Sequence, residues 1–481
     1  MKKKLIGIIV LGLLLGFGIT FLAQKEMTTE TEAEVKQDQE KQSKRRVPLE
    51  ELPGSRASYN IDIQQMEDLR FQITAEIEVV NESKSVWDDI GFYFIPNAMT
   101  KENIVPGLSL PGETEITSIL EKKGEELSYT LNDAMLYVEL EKKLNPGEST
   151  TIQVEYMLKP AIGGQRLARV KENFYLALWY PMLGRYTDGW DLHPYYHRGE
   201  FYDTGYGDYD ITYNLAKEYL VASSADDGDI KPVTQGRLIA KNIKDFYLAF
   251  LDPNEWISET NKANDTVMRY FYPYDDRATL QKIAADGQKA FEYLEENIGD
   301  NPTRELDAIV NNSGMEYPNI VEIWNRQGRY KGVLVHELAH QWFYYMVSSD
   351  SYEESWLDES LTVLLADTYI TLEYSGSSAG EKIGFHDAEI FASRPAQNKY
   401  ANTPINQLAM ESGTVLYGKI PIILRDFFKE QGGHEKTIEF LAAYFEEFKF
   451  QYVDTEAFVE FFNEYHGEDH TEFLKEWLIL E

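Results

Sequence analysis

The sequence predicts a multidomain α+β protein, with a β-rich half first, an α/β segment next and a helical region last. Three observations carry that prediction. The chain has 481 residues, more than one ordinary core accommodates. Apolar and polar residues alternate with period two, in short segments, as far as about Leu251. After Asp276 the apolar spacing becomes helical, with one strand-like segment interposed.

The amino terminus comes first. Lys2, Lys3 and Lys4 precede an uncharged run from Leu5 to Ala23, about 28 Å long as a helix and so close to a bilayer core. With the lysines held in the cytoplasm, the rest of the chain lies outside. Signal peptidase prefers small residues at −3 and −1, and a cut after Ala23 would put Phe21 at −3. An uncleaved single-pass membrane anchor is therefore expected over a cleaved signal and secretion. Gln24–Glu50 is rich in Glu, Lys, Gln and Thr without apolar periodicity, which reads as a flexible stalk.

In the β-rich half, "FQITAEIEVV" (Phe71–Val80), "STTIQVEYML" (Ser149–Leu158) and "YDITYNLA" (Tyr209–Ala216) alternate cleanly. "NPG" (Asn145–Gly147) and "DDGD" (Asp226–Asp229) punctuate them as turns; the second lacks the spaced ligand pattern of a Ca²⁺ loop. "VMRYFYPYDD" (Val267–Asp276) is one more strand. In the next segment Leu280, Ile283, Ala284, Ala290, Phe291 and Leu294 fall on one side of a helix, and "RELDAIVNN" follows as a strand. "YKGVLVHELAHQWFYYMV" and "LDESLTVLLADTYITLEY" read as two long helices. From about Ala388 every long segment looks helical.

Composition narrows the chemistry. Hydrophobic content of 43% and aromatic content of 13% suit packed structure, and a net charge of −35 argues against nucleic acid and anionic lipid as main partners. There is no cysteine, so disulfides, thiolate metal sites and thiol nucleophiles are excluded, and any metal must be held by His, Asp and Glu.

One constellation can do that. His336 and His340 are four apart on a predicted helix and project from one face, where both can ligate one Zn²⁺. Glu337 sits beside them, placed to reach water without ligating the metal. Glu359, early in the next helix, supplies a third ligand. Two imidazoles, one carboxylate and an open position make a catalytic rather than a structural zinc set, one ion per chain. Two other pairs share the spacing, His193/His197 and His466/His470, but Pro194 and Gly467 fall inside them and no third ligand is apparent; they read as packing or surface histidines.

At this point "HELAHQWF…WLDES" resembles the gluzincin zinc aminopeptidases of the aminopeptidase N type, whose motif is H-E-x-x-H-(x)18-E. "SGMEYP" (Ser313–Pro318) looks like their G-x-M-E-N segment and "VLYGKIP" (Val415–Pro421) like their Tyr-x-Lys segment. "WYPML…GW…EFYDTGYGDYDITYNL" and the closing "FKFQYVDTEAFVEFFNEYHG…FLKEWL" are similar to bacterial members, so the resemblance runs from about Ser58 to the end. It implies a β-saddle domain over 51–255, a thermolysin-like zinc peptidase domain over 256–390 and a helical region over 391–481 that completes it.

The resemblance also implies roles: Glu337 as general base, Tyr417 as oxyanion donor, and Glu316 as the partner of the substrate's α-amino group, with Gly314 and Met315 beside it. Glu172 stands at the offset of a second amine-binding residue that the β-domain supplies in some relatives. Tyr317 replaces the family's Asn, Ser313-Gly314 its Gly-Ala, and Ile420 its usual Gly, all on the substrate side of the site. Larger relatives carry a long carboxy-terminal superhelix, whereas this sequence stops at Glu481, which implies a more open cleft. The reading is a membrane-anchored, extracytoplasmic aminopeptidase acting on peptides. An open-cleft endopeptidase and a non-catalytic surface binding protein are the alternatives, and the intact Glu337 argues against the second of these.

Overall fold

A computed structural model describes residues 53–480 except 102–107, 122–123, 165, 274, 312, 326–329, 374–383 and 399. The apolar run over 5–23 and the stalk over 24–50 lie outside the described residues. Among those described, no helix is long and apolar enough to cross a membrane.

Strand alternation builds the first half. In Phe71–Asn81, Ile73, Ala75, Ile77 and Val79 are fully buried while intervening residues face out. That strand pairs antiparallel with Ser55–Gln65 on one side and Ser149–Lys159 on the other. The sheet they belong to has 12 strands. Its longest, Gly207–Ser223, runs parallel to Ser55–Gln65 and antiparallel to both Val233–Ile243 and Leu248–Leu251. Register shifts along it let one strand serve partners at both ends. A 4-stranded sheet that includes Trp87–Tyr93 and Met135–Leu144 packs into the same core.

The second half begins with a mixed 5-stranded sheet, in the order Ile257–Ala263, Thr266–Tyr272, Glu305–Asn311, Ile320–Trp324, Met315–Tyr317. Two of its pairings are parallel, and the helix Arg277–Asn297 makes the crossover between the first two parallel strands. Asp276 caps that helix by accepting from the Thr279 amide, and the six residues of its predicted apolar face are buried, together with Gly287. Arg269 joins the two halves: its guanidinium pairs with Asp307 at 2.5 Å and with Asp227 of the "DDGD" turn at 2.7 Å. The helices Ser355–Glu373, Ile420–Gln431, His434–Phe448 and Thr455–His466 complete the fold.

One expected element is shorter than its apolar pattern suggests. The helix carrying the histidine motif is Lys331–Ala339, with His340 as its C-cap, and no helix runs on to Met346. The chain leaves the helical path at Tyr344, whose φ is 151°, and re-forms as the short strand Val347–Ser348. Aromatic burial accounts for the misleading pattern: Trp342 to Met346 are all apolar or aromatic and buried, in a turn rather than on a helix face.

Candidate active site

Two helix ends and a sheet edge meet at the histidines. His340 is buried at the C-cap of Lys331–Ala339, with His336 one turn earlier. Glu359 comes from the helix Ser355–Glu373, and Glu316 from the edge strand Met315–Tyr317. Gln341 ties that edge to the helix end: its amide donates to the Tyr317 carbonyl at 3.0 Å, and its oxygen accepts from the Asn319 amide at 2.9 Å. Gly314 lets the edge approach closely, since a Cβ there would lie 3.0 Å from Glu337 Oε1. Met315 is buried beside it.

The three predicted ligands converge. Nε2 of His336 and Nε2 of His340 are 3.1 Å apart, and Glu359 Oε2 lies 3.4 Å from the first and 3.5 Å from the second. A tetrahedral Zn²⁺ with bonds of about 2.0–2.1 Å has ligand–ligand edges of about 3.3–3.4 Å. The triangle therefore has the size the metal requires, and the donor set is a catalytic one. On its far side His340 Nδ1 meets acceptors: Asp358 Oδ1 at 2.7 Å and the Phe343 carbonyl at 3.0 Å. The proton is thus held on Nδ1, leaving the Nε2 lone pair for a metal.

Charge makes the same point. Burial works against ionisation of Glu359, but the His336 and His340 imidazoles outweigh it and hold its carboxyl below the usual range. Burial pushes Glu337 well above that range; His340 opposes the shift, and Glu359 and Glu200 add to it. Glu316 is likewise raised, first by burial and then by Glu200. Glu316 Oε1 and Glu337 Oε2 are buried without a hydrogen-bond partner among the described residues. A group of carboxylates this dense around two imidazoles calls for added positive charge, which a divalent cation and a substrate ammonium would both supply.

Tyr417 belongs to the group as well. It lies in a π-helical turn, Val415–Lys419, and its hydroxyl donates to Glu359 Oε1. Ser360 Oγ donates to the Leu416 carbonyl at 2.8 Å, fixing this turn to the helix that carries Glu359. Gly418 permits the contact with the neighbouring helix His386–Ala392, because a Cβ would fall 2.5 Å from the Ala392 nitrogen.

Glu172 is not brought in. It sits at the turn before Asn173–Leu176, half exposed, in an ion pair with Lys217. The offset that suggested it counted residues along a strand whose turn points to solvent. The β-rich domain instead contributes Glu200, 4% exposed and paired with Arg166 at 2.7 Å. Its only sequence signal was its place at the head of "EFYDTGYGDYDITYNL". Asp358, beside Glu359, was also missed as the partner of His340. The two other histidine pairs are packed among aromatics: His193 stacks on Tyr352 at 3.8 Å, and His466 and His470 surround Phe427 and Phe462.

The comparisons agree with this geometry. Residues 309–477 match the model of the peptidase family M1 domain. Among curated proteins, the chain is 26% identical to aminopeptidase B of Rattus norvegicus over 28% of its length and 22% of that protein's. It is 25% identical to leucine aminopeptidase 2 of Yarrowia lipolytica over 42% of its length and 34% of that protein's. It thus spans about a fifth to about a third of the length of these relatives. Among solved structures, an M1 zinc metallopeptidase from Deinococcus radiodurans superposes with a TM-score of 0.62 at 14% identity, covering 89% of this chain and 95% of that one. Leukotriene A4 hydrolase from Saccharomyces cerevisiae gives 0.59 at 14%, covering 87% and 66%. Residues 309–477, the stretch that matches the peptidase family M1 domain, hold the ligand triangle, Glu337, Glu316 and Tyr417.

Proposed function

We propose that this chain is a zinc-dependent aminopeptidase that removes residues from the free amino end of peptides. The observation that carries the reading is the juxtaposition of a zinc-sized ligand triangle with Glu316, a buried carboxylate that has one oxygen unpartnered. His336, His340 and Glu359 would hold the ion, which supplies Lewis acidity toward water and the scissile carbonyl. Glu337 takes the proton that the attacking water loses and returns it to the leaving amine. The Tyr417 hydroxyl, now on Glu359, donates to the oxyanion. Glu316, under the influence of the nearby Glu200 charge, binds the substrate ammonium. The names of the curated relatives, and a Tyr-Ser-Ala complex of a mutant of the Deinococcus enzyme, support peptides as the substrate class.

The test is metal content together with activity. Purified protein should carry about one zinc per chain, since three protein ligands and one open position complete the site. Chelation should abolish hydrolysis of a free-amine peptide and zinc should restore it; full activity in zinc-free protein would end the reading. We further propose that the catalytic unit is extracytoplasmic and tethered by residues 1–23 through the 24–50 stalk, on the strength of Lys2–Lys4 and the uncharged run behind them. Protease added to intact cells should then release most of the chain, whereas complete protection until lysis would place the enzyme inside.

A further inference from the structure

Tyr344 has a backbone that nothing in the chemistry above explains. Its φ of 151° lies in a region favoured by glycine, and a tyrosine there costs on the order of 1–3 kcal/mol unless its surroundings fix it. They do. Its hydroxyl donates to Asp245, and Tyr202 Oη lies 2.6 Å from the same hydroxyl and 3.2 Å from Asp245 Oδ2. The Lys244 ammonium sits 4.6 Å from the Tyr344 ring centroid. Just beyond, Tyr206 donates to the Tyr345 carbonyl at 2.7 Å. Tyr202, Lys244 and Asp245 are all buried, and with Tyr206 they all come from the β-rich domain.

The gripped turn is the one that holds His340. The Tyr345 amide donates to the His340 carbonyl at 3.1 Å, so the turn closes on the ligand's own backbone. The Phe343 carbonyl, immediately before the strained residue, lies 3.0 Å from His340 Nδ1 and also accepts from Thr362 Oγ1 at 3.2 Å. A change at Tyr344 φ, with the linked ψ of Phe343, would swing that carbonyl away from the imidazole. Strain maintained by a network from another domain, one residue from a contact that orients a metal ligand, is a built arrangement.

We propose that Tyr202 and Asp245 of the β-rich domain are positioning residues for the metal site, acting through Tyr344 and the Phe343 carbonyl to hold the His340 imidazole. The proposal rests on His340 being a zinc ligand. The β-rich domain would then be part of the metal centre's support as well as a wall of the cleft. Loss of the clamp lets the turn relax toward an unstrained φ, and His340 loses one of its two orienting acceptors.

The experiment measures Zn²⁺ affinity of the full chain by competition with a chromophoric chelator, alongside the visible spectrum of the Co²⁺-loaded protein. Tyr344→Phe and Asp245→Asn should each weaken zinc binding about 10–100-fold, the usual cost of losing an orienting partner, and should alter the Co²⁺ spectrum. Tyr344→Phe keeps the ring and removes one oxygen, so it stays informative if Asp245→Asn folds poorly. Tyr156→Phe is the control: it removes a buried hydroxyl that donates to the Trp179 carbonyl at 2.7 Å, in the same domain, and should leave zinc affinity unchanged. Wild-type affinity in Tyr344→Phe, or stability loss without any change in zinc affinity or spectrum, would overturn the proposal. Failure of the zinc assignment would read differently: the wild-type chain itself would hold no zinc, or would keep it in His336→Ala.

Discussion

Removing the charge from a substrate's amino end should cost this protein most of its rate. Glu316 is 4% exposed and its Oε1 has no hydrogen-bond partner among the described residues, while Glu200, also 4% exposed, already shares its charge with Arg166. The pocket is therefore short of positive charge, and on the proposed function a substrate ammonium would supply it. An N-acetylated peptide brings no charge and leaves Glu316 buried and unpaired. Losing one partner of such a pair costs about 2–5 kcal/mol. At roughly tenfold per 1.4 kcal/mol, free-amine peptides should exceed capped ones by about 30-fold or more in kcat/KM. The assay compares an aminoacyl fluorogenic amide with its N-acetyl form, in wild type and in Glu316→Gln. The ratio should collapse toward unity in the variant with zinc content unchanged. Equal rates on free and capped substrates in the wild type would refute the reasoning and favour an endopeptidase working through an open cleft.

Other outcomes follow from the same geometry. Glu337→Gln should keep its zinc and lose about 10²–10⁴ in kcat, the worth of a positioned general base, measured against metal content by elemental analysis. Tyr417→Phe should lower kcat about 10²–10³-fold, and near-wild-type turnover would remove the tyrosine from the oxyanion role. Arg166→Leu strands the buried Glu200 carboxylate and should destabilise the fold by about 3–5 kcal/mol in denaturant unfolding. Stability should also fall as pH rises from about 4 to 7. Burial, opposed by Arg185, pushes the Asp203 carboxyl up to about 7. The folded state then holds a proton that the unfolded chain has already released, and each such group removes up to about 1.4 kcal/mol per pH unit across that window. Denaturation midpoints that climb over the same range would contradict this.

The sheets and the long amphipathic helix were legible because their signals are local. Phe71–Asn81 alternates since one face is core and the other solvent, and Arg277–Asn297 shows a single apolar side since it covers one face of a sheet. The helix after Tyr330 was misread for the converse reason. Periodicity reports burial, and from Trp342 to Met346 every side chain is buried whatever the backbone does. Nothing in "WFYYM" marks a φ of 151° at Tyr344, because its stabilising partners, Tyr202 and Asp245, lie far away in the chain.

The site divides along the same line. His336, Glu337 and His340 share one turn of helix, so the proposed metal ligation rests on a fixed spacing that survives any surrounding fold. Glu359 is legible because the helix pair that carries it sits immediately after. Glu172 failed because an amine-binding position in another domain has no fixed offset: a turn of different length moves it to the surface, where it pairs with Lys217. Glu200 took a place in the cluster through three-dimensional proximity alone, held by Arg166. On the proposed function, the chemistry of bond cleavage would be encoded locally within 309–477, while charge recognition and, by the argument from Tyr344, the fixing of His340 would depend on the β-rich domain. Substitutions within the helix motif should therefore alter kcat or metal content directly. Substitutions at Glu200 or Asp245 should act through substrate charge preference and zinc affinity, two quantities that a sequence motif does not specify.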